Sequence, residues 1–474
     1  MTAAETPHVA VIGGGIAGLA AAFFLAGEPV RVTVLEGSPH LGGKLSASDV
    51  AGVPMDEGAE ALLARRPEGI DLITAAGLGA DLVPAGSTSS AIYTRGAMRP
   101  LPRRQFMGVP ADAGELAATG VVSAEGVARA RREEQLAPDE ADTSVAGYVG
   151  ARLGGEIVDR LVDPLLGGVY AGRSDELSFP ATLAPLAAAA RRHPLLTEAV
   201  AALLPPAADN SKMRSAPAPV FVTLTTGLGA LPEAVAKASN AAIRTSAMVR
   251  ELERTETGWR LTVGSAADPE SVLADAVIVA VPAAPAARLL SRTVPAASTA
   301  LSQIPYASMA IITLAYRAGD FPETRRSGYL VPALDGRAVK AVTFSTVKWP
   351  HLAGHAPVHV VRCSVGRTGE TALLQRDDAD LAALAAAELA DATGMTARRV
   401  AQRVTRWGGA LPQYNVGHLD RVAAIRAAVS GQPGLAVAGA AYEGVGIPAC
   451  VATAKAAAQQ VLAQLRESPR VRSE

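Results

Sequence analysis

Apolar runs broken by glycine and proline set the outline of the chain. "HVAVI" (His8 to Ile12) is a short apolar stretch; a glycine turn, the alanine-rich "IAGLAAAFFLAG" and the alternating "VRVTVLEG" follow it, ending near Glu36. That order predicts a buried strand, a tight turn, a helix and a second strand. Alternation in "AIYTRGAMRPLP" predicts a hairpin, and residues 110–205 read as helices rich in Ala and Arg. "PPAADNSKMRSAPAP" (Pro205 to Pro219) has the composition of an exposed, mobile loop. Strand patterns return with "RTSAMVREL", "GWRLTV" and "DAVIVAVP", the last halted by Pro282, as a small sheet rejoining the first unit. "MAIITLAYR", "YLVP", "VKAVTFST" and "VHVVRCSVG" predict further strands, "ADLAALAAAELADA" a helix, "RVTRWGG" a strand and "LPQYNVGHLDR" an exposed segment. The chain then repeats its opening layout in "LAVAGAAYEGVGIPACVATAKAAA" (Leu435 to Ala458): strand, glycine-broken turn, helix.

Length and composition narrow what this outline can be. The 474 residues, 49% hydrophobic, support two or three globular domains. A formal charge of -1 argues against nucleic acid or an anionic membrane as a broad electrostatic partner. Two cysteines, Cys363 and Cys450, are too few for a disulfide framework and too far apart for a metal motif, which fits a reducing cytoplasm. The uncharged run Val9 to Gly27 carries five glycines and has no Lys or Arg before it, so neither a signal peptide nor a membrane span is expected. Peripheral membrane contact stays open.

The first turn carries specific chemistry. Gly13, Gly15 and Gly18 stand in GxGxxG spacing between strand and helix, and Glu36 closes the second strand. This is a Rossmann-type dinucleotide fingerprint: a tight turn at Gly13, backbone approach to a pyrophosphate at Gly15, close packing at Gly18, and ribose hydroxyls at Glu36. Gly14, Ile16, Ala17 and Gly37 complete the two loops, and the helix N-terminus favours the phosphates. An acid at 36 disfavours NADP. The expected fold class is α/β, with the nucleotide domain in three pieces (residues 1–95, 220–290 and 405–474). A substrate and helical region (96–219) and a mixed-sheet substrate domain (291–404) interleave with it.

"PHLGGKL" places Gly43 and Lys44 just past the ribose-binding acid, an extension that resembles flavoproteins related to amine oxidases and carotenoid desaturases. FAD is therefore expected over NAD. At "DPLLGGVYAGRSDELS", "ARRP", "VKWPH", "LPQYNVGH" and "AYEGVGIPAC", the sequence resembles the porphyrinogen oxidase family, over nearly the whole chain. "VVRCSVGR", "VKWPH" and "PQYNVGHLDR" look like its Gram-positive branch, whose members oxidise coproporphyrinogen III to coproporphyrin III. The other branch acts on protoporphyrinogen IX.

The resemblance implies an FAD-linked six-electron oxidation in haem biosynthesis, with oxygen as acceptor and hydrogen peroxide released. It implies flavin contacts from the backbone of Gly58, Ala59, Glu60 and Ala61, adenine contacts at Val249, and an aromatic neighbour at Trp407. Gly439, Val445, Gly446 and Ile447 would place the last helix's N-terminus by the flavin's pyrimidine edge, where charge gathers on reduction. Gly167 and Gly168 would offer backbone to the macrocycle or simply end a helix, Leu330 would line the cavity, and Arg362 would meet a propionate. Arg65, Arg66, Arg95, Arg99, Lys348 and Arg367 are further cations for the propionates. Two departures matter: Ser89 and Ser90 stand where some members carry a carboxylate-binding arginine, and "SPH" replaces the usual base before "LGG".

No side chain is assigned as catalytic base. The seven histidines lack metal-ligand or triad spacing, and His418 is read as structural or surface. No metal is expected. Expected partners are the porphyrinogen, oxygen and transient contacts with other haem-pathway enzymes. Alternatives are protoporphyrinogen oxidation, an amine or carotenoid oxidase, and a flavin-less binding module of the same fold. An amine-binding aromatic cage is poorly supported by 4% aromatic content.

Overall fold

The computed structural model describes residues 6–136, 141–205 and 219–467. A five-stranded parallel sheet lies at one end, in the order Ala242–Arg244, Arg31–Leu35, His8–Ile12, Ala276–Val279, Leu435–Val437. Its central strand explains the unbroken apolar opening. Val9 and Val11 pack into the core beneath the helices Ile16–Phe24 and Ile447–Glu467, while Ala10 and Ile12 pack on the opposite face. A strand covered on both faces has no solvent side on which to alternate.

That opposite face is covered by the helices Ala283–Leu290 and His418–Ser430 and by a three-stranded antiparallel sheet, Val249–Arg254, Trp259–Gly264 and Pro269–Ala274. The Pro269–Ala274 strand was not foreseen: its "PES" start is exposed, so no apolar alternation marks it. Pro282 follows the strand Ala276–Val279 and caps the next helix.

A seven-stranded mixed sheet forms the second body, in the order Arg399–Pro412, Tyr306–Arg317, Val358–Val365, Val339–Phe344, Gly328–Leu330, Ser90–Thr94, Ala97–Pro100. Ala310, Ile312 and Leu314 share a core with the helix Asp378–Thr393. Met309 and Ile311, on the other face, line a cavity. The expected hairpin is the last pair, turning at Arg95 and Gly96. Boundaries drawn at 95 and 405 cut through elements of this sheet, because both hairpin strands and all of Arg399–Pro412 belong to it.

Short helices between Leu116 and Leu203 form a third core around Leu161, Leu166 and Tyr148. Most of the loop expected at Pro205 to Pro219 lies outside the described residues. Among the described residues, no helix is long and apolar enough to cross a membrane.

One local expectation changes. "LPQYNVGHLDR" is buried at its heart, with Gln413 and Tyr414 1% and His418 0% exposed. The Gln413 amide donates to the Tyr170 and Leu411 carbonyls, and the Tyr414 ring stacks on His418 at 3.9 Å, so partners inside the protein replace water for these groups. In "LLGGVYAG", Gly167 and Gly168 sit near the end of the helix Asp163–Tyr170, as the helix-ending alternative has it. Ala171 N–H donates to the Gly167 carbonyl at 3.1 Å, so that carbonyl takes part in closing the helix.

Candidate active site

A cavity of about 1160 Å³ runs between the parallel sheet and the mixed sheet. It exceeds the roughly 300–1,000 Å³ usual for one small ligand and has room for a dinucleotide and a second ring system. At one end stand the two turns that follow the strands of the parallel sheet. Gly13 has φ +110°, and a Cβ there would lie 2.6 Å from the Ala280 carbonyl oxygen; one on Gly18 would lie 1.9 Å from that of Gly13. Only glycine permits this packing. Gly15 has open space beyond its Cα, so the backbone is bare to the cavity where a pyrophosphate would approach.

Glu36 points at the same turn. Its Oε2 accepts from Gly14 N–H at 2.6 Å and its Oε1 from Ser38 N–H at 2.7 Å, which fixes the carboxylate and leaves acceptor capacity on each oxygen. Gly42 N–H donates to the Gly14 carbonyl at 2.9 Å, docking the second glycine turn against the first. Lys44 then borders the cavity with no ion pair or side-chain hydrogen bond among the described residues, and burial lowers its pKa. An ammonium held in this way fits an anionic group, and the bare turn, the oriented acid and this cation together fit a dinucleotide.

The far wall is the segment Gly58–Ala61. A Cβ on Gly58 would lie 2.0 Å from the Lys44 carbonyl oxygen and 3.3 Å from Trp407, whose Nε1–H donates to the Glu57 carbonyl at 2.9 Å. Behind it, Glu60 accepts from Lys348 at 2.6 Å and from Arg362. Burial alone would raise its pKa, but these two cations outweigh it and hold the carboxyl at about 2. Asp56 is pushed up to about 6 by burial, against amides of Leu228 and Gly229.

The opposite rim is the C-terminal turn that repeats the opening layout. Gly439 (φ +123°) and Gly444 (φ +138°) bend it, and Val445, Gly446 and Ile447 line the cavity where the last helix begins. One hydroxyl ties its two arms: Tyr414 donates to the Ala440 carbonyl at 2.6 Å and accepts from Gly444 N–H at 2.8 Å. His418 Nε2 meets the Tyr442 carbonyl at 3.0 Å, and burial lowers its pKa to about 4. It is a neutral, structural histidine.

Of the residues expected at a cofactor, Ile16, Ala17, Gly37, Gly43, Ala59, Ala61, Val249 and Trp407 also border the cavity. Gly14 and Gly18 do not; they pack behind the turn. On the substrate side Gly168 borders the cavity, whereas Gly167 does not and Leu330 sits one layer behind, 3.5 Å from where a Gly168 Cβ would be. Arg362 borders it but is engaged by Glu60 and by the Gly58 carbonyl at 2.8 Å, so it is not a free propionate ligand. The other cations are similarly engaged: Arg66 by Glu68, Arg95 by Glu156, Arg99 by the Thr94 carbonyl, Lys348 by Glu60 and Arg367 by Glu370. Arg65 lies 5.9 Å from the Phe106 ring centre.

Sequence reasoning missed several wall residues. Cys363 and Cys450 both border the cavity, with thiols pushed up by burial to about 12 and 11, and Tyr306 is raised to about 12 while accepting from Ala283 N–H. Val169, 42% exposed, follows Gly168 on the rim. The signal for Cys363 was present in the alternation of "VVRCSVG"; Tyr306 and Cys450 become neighbours of the cavity only through folding. Glu60, Tyr306, Cys363 and Cys450 are all held far from the range in which they would take up a proton at neutral pH.

The family described as flavin containing amine oxidoreductase matches residues 16–462. The chain is 37% identical to the coproporphyrinogen III oxidase of Mycobacterium tuberculosis, over 96% of this chain and 97% of that protein. It is 30% identical to the enzyme of the same name from Bacillus subtilis, over 97% and 98%. A crystal structure from Exiguobacterium, provisionally assigned as a protoporphyrinogen oxidase, superposes with a TM-score of 0.84 at 29% identity, covering 98% of this chain and 99% of that one.

Proposed function

The chain belongs to the flavin-containing amine oxidoreductase family, and we propose that it is the FAD-dependent oxidoreductase that converts coproporphyrinogen III to coproporphyrin III in haem biosynthesis. The observation that carries this reading is full-length similarity to coproporphyrinogen III oxidases in a chain whose cavity can take a dinucleotide and a macrocycle together. Bound there, FAD supplies the hydride acceptor for each of three two-electron oxidations of the macrocycle.

The protein's own residues bind, orient and exclude water. Gly13, Gly15, Ile16, Ala17 and Lys44 would hold the pyrophosphate, Glu36 the ribose and Val249 the adenine end. Gly58 to Ala61, with Trp407 beside them, and Val445 to Ile447 would hold the flavin between them. The macrocycle enters past Gly168 and Val169, over the floor of the mixed sheet at Ile311, Ala341 and Thr343. Aromatisation supplies much of the driving force, so orientation of the ring is the protein's main task. With Glu60, Tyr306, Cys363 and Cys450 unable to serve as bases near neutral pH, the pyrrole proton leaves to solvent or moves between ring nitrogens.

Oxygen as final acceptor, release of hydrogen peroxide, a cytoplasmic setting and transient contact with other haem-pathway enzymes complete the proposal. The three-piece nucleotide domain is part of it, with its boundaries moved outside the mixed sheet. Protoporphyrinogen IX is the second reading, favoured by the assignment of the Exiguobacterium neighbour. Initial rates on both porphyrinogens decide between them: coproporphyrinogen III turns over at least ten times more efficiently if the first reading holds, and a reversed preference overturns it.

A further inference from the structure

Where the mixed sheet borders the cavity, Met309, Ile311 and Ala341 are apolar, and the polar groups among them are nearly all committed. The Tyr306 hydroxyl accepts from Ala283 N–H at 3.0 Å, and Trp407 Nε1–H donates to the Glu57 carbonyl. Arg362 has donors and no acceptor. The Ser364 hydroxyl is enclosed, with Ile311 and Ala341 as its neighbours on the flanking strands. Thr343 differs from all of these. It borders the cavity, no hydrogen bond within the protein engages its hydroxyl among the described residues, and that hydroxyl is not enclosed.

Strand register fixes where Thr343 stands. Along Val339–Phe344, Val342 and Phe344 pack into the core shared with the helix Asp378–Thr393, which leaves Ala341 and Thr343 on the cavity face. Ala341 pairs with Leu330, the residue behind Gly168 at the rim. Thr343 pairs with Arg362, whose guanidinium holds Glu60 and the Gly58 carbonyl of the far wall. Thr343 therefore lies between the entrance and the flavin wall.

A porphyrinogen brings four pyrrole N–H groups to this floor, and burying such donors against apolar side chains without an acceptor is costly. We propose that the Thr343 hydroxyl accepts a hydrogen bond from a pyrrole N–H and so seats the macrocycle against the flavin wall, as a substrate-positioning residue. The inference rests on the reading that the cavity holds FAD and a porphyrinogen together. A hydroxyl suits the whole course of the oxidation, because it accepts from the N–H groups of the substrate and donates to ring nitrogens that have lost theirs. The pyrrole nitrogens are common to coproporphyrinogen III and protoporphyrinogen IX, so the contact is blind to the propionates.

The test compares Thr343→Val, which removes the hydroxyl and keeps the shape, with Thr343→Ser, which keeps the hydroxyl, in the purified, flavin-loaded protein. Thr343→Val lowers kcat/KM about tenfold on each porphyrinogen that the wild type oxidises, while flavin affinity and melting temperature stay at wild-type values. Thr343→Ser stays within about twofold of wild type. Should Thr343→Val not fold, Thr343→Ala carries the same expectation. Wild-type kcat/KM in the variant without a hydroxyl overturns the inference, and so does an equal loss in Thr343→Ser, which would show that the methyl group matters. A loss confined to coproporphyrinogen III, with protoporphyrinogen IX oxidised as by the wild type, places the hydroxyl at a propionate and overturns it too; weakened flavin binding places it at the cofactor, with the same consequence. Wild-type protein that oxidises neither porphyrinogen overturns the reading on which the inference rests, and the inference with it.

Discussion

Gly15 and Gly18 sit three residues apart and ask opposite things of a methyl group. At Gly18 it would strike the Gly13 carbonyl, so Gly18→Ala should destabilise the fold by about 3 kcal/mol, read as a fall in melting temperature without added cofactor. At Gly15 the space is open and φ is -75°, so Gly15→Ala should cost under about 1 kcal/mol while weakening flavin binding at least tenfold, read by flavin titration. Equal stability losses for the two would contradict the cradle described above. His418 carries a prediction in pH. Its folded pKa lies near 4 against 6.5, so the neutral ring's contribution is whole above pH 6.5 and is lost as pH falls towards 4. Across that window His418→Phe, which keeps the stack on Tyr414, should lose about 3 kcal/mol less stability than the wild type, measured by urea unfolding at each pH. The burial of His418 was not legible in "PQYNVGHLDR", whose polarity reads as solvent exposure; its partners, the Tyr442 carbonyl and the Tyr414 ring, come from the fold.

The two strand-turn-helix elements at the ends of the sequence meet across one cavity, and each is held differently. The first is fixed by backbone contact between glycines; the C-terminal turn depends on the Tyr414 hydroxyl that bridges Ala440 and Gly444. Tyr414→Phe leaves two polar backbone groups without this partner and should cost about 2 to 4 kcal/mol, with flavin lost faster on dilution; unchanged retention would show that the turn needs no strap. Gly446 faces open space, its nearest neighbour to a Cβ being Pro448 at 3.7 Å. Gly446→Leu should therefore lower flavin occupancy without lowering the melting temperature of the flavin-free protein. At this scale the sequence was informative wherever burial imposed a period. "HVAVI", the hairpin at Ala91 and the strands from Tyr306 to Val365 were readable, because a strand covered on both faces is apolar throughout and one covered on a single face alternates. At Gly167 and Gly168 the sequence left a helix end and a backbone contact to the macrocycle both open, since paired glycines disfavour helix and only the burial of Leu166 and Tyr170 in the third core holds it.

Across the whole molecule, a nucleotide-binding sheet built from distant stretches of sequence faces a second sheet that supplies the floor of the cavity. Glycine spacing made the dinucleotide end legible, because a pyrophosphate constrains backbone shape as well as side chains. The substrate end was legible only through resemblance. Its candidate cations look equivalent in sequence, yet folding pairs Arg66, Arg95, Lys348, Arg362 and Arg367 with acids of the protein itself. Of the cations named from sequence, Arg65 and Arg99 are left without an acid partner among the described residues. The central claim is that one protein-bound FAD accepts the electrons that aromatise coproporphyrinogen III. Its most direct test is an anaerobic titration of the flavin-loaded protein with coproporphyrinogen III, following flavin absorbance and porphyrin fluorescence together. The account predicts three flavins bleached for each coproporphyrin formed, with colour restored on admitting air; coproporphyrinogen that leaves the bound flavin oxidised would contradict it.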